Sequence, residues 1–185
     1  MGEQHKKHNR REHLNDFHLN VAGEYVYDGA LYACQNDDAK QRRSKRAVWG
    51  MAAILTVAVT AGGCIPAPGM QNCFYVLLPY LGEFLGAGSV IWALAKLGMD
   101  WGTVREYNYK QSVAVLPVRT AVTAVFSLLG IVCELIFFFV NDHAGQTFFA
   151  LLYVLLKLTA LLSALVLRAE IMQAEWDKLP KKDNF

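Results

Sequence analysis

Glu83, Glu134 and Lys157 stand inside long runs of apolar residues. A charged side chain in the hydrocarbon of a bilayer is costly, and such residues are by default candidates for ion or proton chemistry or for pairing with one another. Two carboxylates and one ammonium do not balance in an interior closed to water. Either one glutamic acid carries a proton, or a cation or a water-filled cavity completes the set. Two uses stay open: Lys157 pairs with one glutamate to fix helix packing while the other stays neutral and hydrogen-bonded, or the three groups serve ion movement.

Helical spacing decides whether they can share an interior. In their segments Pro79, Gly82, Glu83, Gly86 and Ala93 fall near one helix face, Thr123, Ser127, Gly130 and Glu134 near another, and Tyr153, Lys157, Ala160 and Ala164 near a third. Small residues let backbones approach closely, and Gly82-x-x-x-Gly86 has the spacing for it. At 1.5 Å per residue, Glu134 lies roughly 10 Å and Lys157 roughly 16 Å below the same membrane face. Side chains lean toward the N-terminus of their helix, so on antiparallel helices these two lean toward each other. Glu83, at an intermediate depth, is the competing partner. Pro79, one turn before Glu83, removes a donor from the helix, kinks it and frees the Tyr75 carbonyl near the seam.

The elements that must position these groups are four apolar segments, residues 47–65, 74–97, 118–140 and 146–167, each near the 20 residues that cross a hydrocarbon core. The chain has 185 residues, only 18% of them charged. Counted with glycine in place of tyrosine, apolar residues make up roughly 57%, against 45–50% in soluble domains. Charge is uneven as well: residues 1–46 and 169–185 hold most of it, and the middle is nearly bare. The expected fold is an all-α membrane protein, a four-transmembrane-helix antiparallel bundle over 47–168, with a basic N-terminal region 1–46 and a C-terminal tail 169–185. The segments Pro66–Cys73 and Asn141–Gly145 read as turns.

Seventeen of the eighteen Lys and Arg residues fall in the N-terminal region, the stretch from Lys96 to Arg119 and the segment from Arg168 onward; the eighteenth is Lys157. The positive-inside rule then puts both termini and the 98–117 connection in the cytoplasm of a cell-membrane protein. Lys40, Arg42, Arg43, Lys45 and Arg46 abut the first span and should meet anionic lipid headgroups. Arg119 and Arg168 sit at inner ends, where long side chains snorkel to water. A net charge of +2 gives no field that argues for nucleic acid.

Asp28-Gly29 between Tyr25-Val26-Tyr27 and Ala30-Leu31-Tyr32-Ala33 predicts a tyrosine-rich β-hairpin on the cytoplasmic side. Thr103-Val-Arg-Glu106 has the pattern of a capping box and predicts a helix from there toward the third span. Cys64 and Cys73 bracket the first outer connection, on the oxidising side, and make a disulfide conceivable. No Cys-x-x-Cys, phosphate loop, nucleophile elbow or zinc spacing is present, so neither catalysis nor a cofactor or metal is expected. His5, His8, His13 and His18 share the N-terminal tail and His143 stands alone. The leading expectation is an accessory or assembly subunit that acts through another membrane protein or a homo-oligomer. The alternative is a proton- or cation-coupled transporter or channel component.

Overall fold

The computed structural model describes residues 17–19, 25–27, 29–98, 101–141 and 147–179. Its helices are α1 (Asp38–Cys64), α2 (Pro68–Asn72), α3 (Phe74–Leu97), α4 (Glu106–Gln111), α5 (Leu116–Val140) and α6 (Thr147–Met172). Its strands are β1 (Phe17–Leu19), β2 (Tyr25–Tyr27), β3 (Leu31–Cys34), β4 (Thr103–Arg105) and β5 (Trp176–Lys178). Four helices, α1, α3, α5 and α6, are long and apolar enough to cross a membrane. Their outward faces are greasy: Phe74 and Leu85 are 72% exposed and Phe139 81% exposed, which water would not tolerate over a whole bundle. That surface fits a multi-pass membrane protein.

α5 packs on both α3 and α6, α6 packs on α1, and α1 closes the ring more lightly on α3. The seams use small residues. Ala160, Ala164, Ala87 and Ala124 meet Leu55, Ala58 and Val59 of α1 in the middle layer. α1 and α6, of 27 and 26 residues, are about 40 Å long, more than the roughly 30 Å of hydrocarbon. The basic run Lys40–Arg46 is therefore helical, forming the first turns of α1 before the apolar part begins. α3 ends at Gly98, whose φ of 72° suits a glycine and whose N–H returns to the Leu94 carbonyl at 3.0 Å.

One end of the bundle carries a small sheet in the order β4-β3-β5, antiparallel throughout, with Tyr32 paired to Val104 on one side and to Lys178 on the other. Three distant chain segments thus meet in one layer, which places the N-terminal region, the α3–α5 connection and the C-terminal segment at the same end. Beneath the sheet, Trp101 and Val104 join Val48, Leu94, Leu97, Leu116, Leu167 and Ile171 in a core that welds the cap to the helices. Tyr109 stacks on Tyr32 at 4.1 Å and packs against Trp176 at 6.0 Å.

The cap corrects two expectations. β2 pairs with β1, with Leu19 opposite Tyr25, and β3 takes β4 and β5, so among the described residues Tyr25–Tyr27 and Leu31–Cys34 do not pair with each other. Asp28 itself lies outside the described residues. An isolated hairpin is marginal, whereas β3 gains two partners delivered by helix ends. Thr103 is no helix cap either. It lies in β4, its backbone taken up by pairing with Ala33, and α4 starts at Glu106 behind an extended Arg105 without a side-chain cap. The chain then turns at residues 112–115 before α5, which carries Pro117 in its first turn.

Candidate functional site

Three of the long helices, α3, α5 and α6, converge their polar residues on a line through the bundle. Thr120, Thr123, Ser127 and Glu134 form one fully buried face of α5, met by Glu83 of α3 and by Tyr153 and Lys157 of α6; none of these seven is more than 1% exposed. Thr120 and Thr123 donate to the Leu116 and Arg119 carbonyls at 2.9 Å, so the helix itself satisfies them.

At the centre Lys157 Nζ donates to Glu83 Oε2, making a buried ion pair between α6 and α3. Ser127 Oγ donates to the other carboxylate oxygen at 2.6 Å. It also lies 3.0 Å from the Thr123 carbonyl, but one hydroxyl has one proton, and the shorter, charge-assisted contact holds it. The Lys157 ammonium sits 4.6 Å from the Tyr80 ring centroid and 5.0 Å from that of Tyr153, within cation–π range. One carboxylate, one ammonium, one hydroxyl and two aromatic faces thus close on each other and tie three helices together.

The neighbours are small for visible reasons. The Lys157 stem passes close to Gly130, where an added Cβ would lie 3.6 Å from it, in ordinary contact. A Cβ on Gly86 would come to 2.6 Å from Thr123 Oγ1 and 3.3 Å from Thr123 Cα, which marks a close α3–α5 crossing. Gly82 faces the Phe126 ring in the same way, its added Cβ 2.5 Å from the ring edge. Pro79 is buried within α3, which runs unbroken through it.

Glu134 does not pair with Lys157, against the expectation from their lean. It turns to the opposite end of the bundle, where Oε1 accepts the Gly69 N–H of α2 at 3.4 Å and Oε2 is buried without a partner. The reason is the connection between α1 and α3: Pro66–Cys73 is no open turn but contains a helical turn packed into the bundle, and Gly69 rests against the Glu134 carboxylate so closely that a Cβ there would overlap it. Tyr153 Oη is likewise buried without a partner. Cys64 is exposed at the end of α1 and Cys73 is half-buried, and both are free thiols, so the disulfide that their positions made conceivable is not formed.

At the cap end, Lys40, Arg42, Arg43 and Arg46 are exposed and Lys45 is half-buried, ringing the start of α1. Arg119 and Arg168 do more than snorkel: their guanidinium groups donate to the carbonyls of Ser89 and Pro117, each at 2.7 Å, and lace α5 to α3 and α6 to α5. His5, His8, His13 and His143 lie outside the described residues.

Sequence reasoning missed Tyr80, which lies one helical turn before Glu83 on the same face and so carried a usable signal. It also missed Gly69, hidden in a Pro-Gly pair that reads as a loop. Compared with protein-family models, curated proteins and solved structures, the chain matches none of them.

Proposed function

We propose that this chain is a small multi-pass membrane protein that works through interaction, as an accessory or assembly subunit of the cytoplasmic membrane, with the sheet-bearing end in the cytoplasm. The observation that carries the reading is the closure of the Glu83–Lys157–Ser127 knot. The costly charges of α3 and α6 are used up in joining helices, at 0% and 1% exposure, and leave no polar face toward solvent there. What is left for function is surface: an apolar belt and a cap made from three chain segments. The orientation rests on the Lys and Arg distribution, which crowds toward the cap end. Native purification in a mild detergent should yield a defined oligomer or stoichiometric complex heavier than the 20.7 kDa chain. A monodisperse solitary monomer at every detergent and protein concentration would overturn the proposal.

A second reading, a component of a proton- or cation-coupled transporter or channel, is favoured by Glu134. Its unpartnered oxygen is a buried acceptor on the same α5 face as Ser127, toward the outer end. In reconstituted vesicles, Glu83→Gln or Glu134→Gln should then abolish a proton- or cation-driven flux. Flux that survives both changes removes this reading.

A further inference from the structure

A groove of 390 Å³ runs along the cap-end half of α5, lined by Val118, Ala121, Val122, Val125 and Phe126, with Arg168 of α6 at its mouth. Its walls are almost wholly apolar apart from that one guanidinium. Val118, Val122 and Val125 are spaced as one helix face, and the stretch from Val118 to Phe126 covers roughly 12 Å along the axis. The groove therefore runs along the direction a lipid tail takes in a bilayer, within the segment that crosses the hydrocarbon.

The cation at its mouth is available. Arg168 spends one N–H on the Pro117 carbonyl and has four more in a planar fork. Among the described residues it makes no ion pair, and the nearest acidic side chain along α6, Glu170, accepts from Ser44 of α1 instead. An apolar slot with a fork of donors at its headgroup end suits an amphiphile with an acyl chain and an anionic oxygen headgroup, and in a bilayer the abundant one is a phospholipid with its phosphate. We propose that this groove holds one tail of an anionic phospholipid of the cap-side leaflet, its phosphate bound by Arg168. The proposal is independent of the interaction reading above.

The test is native mass spectrometry of the full chain in detergent, offered an equal mixture of phosphatidylglycerol and phosphatidylcholine. The expected result is one phosphatidylglycerol retained per chain, preferred by about tenfold: both lipids carry a phosphate, but the choline ammonium repels the Arg168 guanidinium and competes for that phosphate, and the glycerol headgroup does not. Arg168→Gln should bring that preference to near parity, and Arg168→Lys should restore part of it. Because losing the Pro117 contact could disturb the bundle, Val122→Trp provides a second route: it fills the groove from an exposed position and should lower retention of both lipids with Arg168 untouched. Lys178→Gln, on the exposed last strand of the cap, should change neither. Equal retention of the two lipids by the unaltered chain overturns the proposal. So does a preference that persists in Arg168→Gln together with undiminished retention in Val122→Trp.

Discussion

Lys157 of α6 reaches past α5 to Glu83 of α3, although α5 lies between them and carries a glutamate of its own. Depth explains the choice. Counted from the helix ends opposite the cap, Glu83 lies about 14 Å down α3, Lys157 about 15 Å down α6 and Glu134 only about 9 Å down α5. Lysine selects the carboxylate at its own level, its stem passing Gly130 of α5, and Glu134 is left to hold α2.

Breaking this pair from one side should be worse than removing it whole. Lys157→Met strands a buried carboxylate and Glu83→Leu strands a buried ammonium, each costing about 3–5 kcal/mol, while the double variant should recover most of that loss. Unfolding in detergent, by denaturing surfactant or heat, measures all three. A double variant no more stable than the weaker single one would mean that the ion pair does not set the stability of this layer.

Gly86 and Gly88 lie two residues apart on α3 and should respond oppositely to alanine. At Gly86 the new methyl meets both Thr123 Oγ1 and the Thr123 backbone, which cannot swing aside, so an overpacking cost of about 1–3 kcal/mol is expected. At Gly88 nothing lies within 4 Å, and the gain in helix propensity should leave stability equal or slightly higher. The same unfolding assay applies; equal losses at both sites would refute the close α3–α5 crossing.

How much of this was legible depended on the range of the interaction. The four long helices follow from composition and length, since each must satisfy its own backbone in lipid, and their limits agree within a few residues apart from the longer ends of α1 and α6. The buried faces around Glu83, Ser127 and Lys157 follow from a period that every helix shares. What periodicity cannot carry is pairing between distant segments. Leu31–Cys34 takes partners 70 and more residues away, and Asp28-Gly29, a strong local signal, lost to that competition. α2 was hidden for a similar reason: five residues hold no period, and its helix is supported by tertiary contacts that include Gly69 to Glu134.

The free thiols report orientation. Cys64 is exposed at the end away from the cap, and Cys34 lies in β3 at the cap end. In intact cells a membrane-impermeant maleimide should label a chain retaining only Cys64, while one retaining only Cys34 should react after permeabilisation alone. Migration of the four-cysteine chain should not change on adding reductant, because Cys64 and Cys73 are unbridged. Labelling of Cys34 from outside would place the sheet on the other side of the membrane.

The last expectation concerns what holds the C-terminal segment to the cap. β5 is three residues long, too short to persist on ladder hydrogen bonds alone, so its side chains must anchor it. Trp176 packs 6.2 Å from Trp101 and 6.0 Å from Tyr109, and Tyr109 in turn stacks on Tyr32 of the central strand; one ring therefore links all three segments of the cap. Trp176→Ala removes that link while leaving untouched the middle and far layers of the bundle, where Leu55, Ala160, Phe137 and Tyr153 pack. Helix content should stay unchanged, the cap should lose about 1–3 kcal/mol, and residues after Met172 should become open to protease. Trp176→Phe, which keeps a ring, should retain most of the protection. If the segment stays protected in Trp176→Ala, backbone pairing with β3 and the Gln35 N–H to Glu175 carbonyl bond at 2.9 Å are sufficient, and the aromatic cluster is not what fastens the tail.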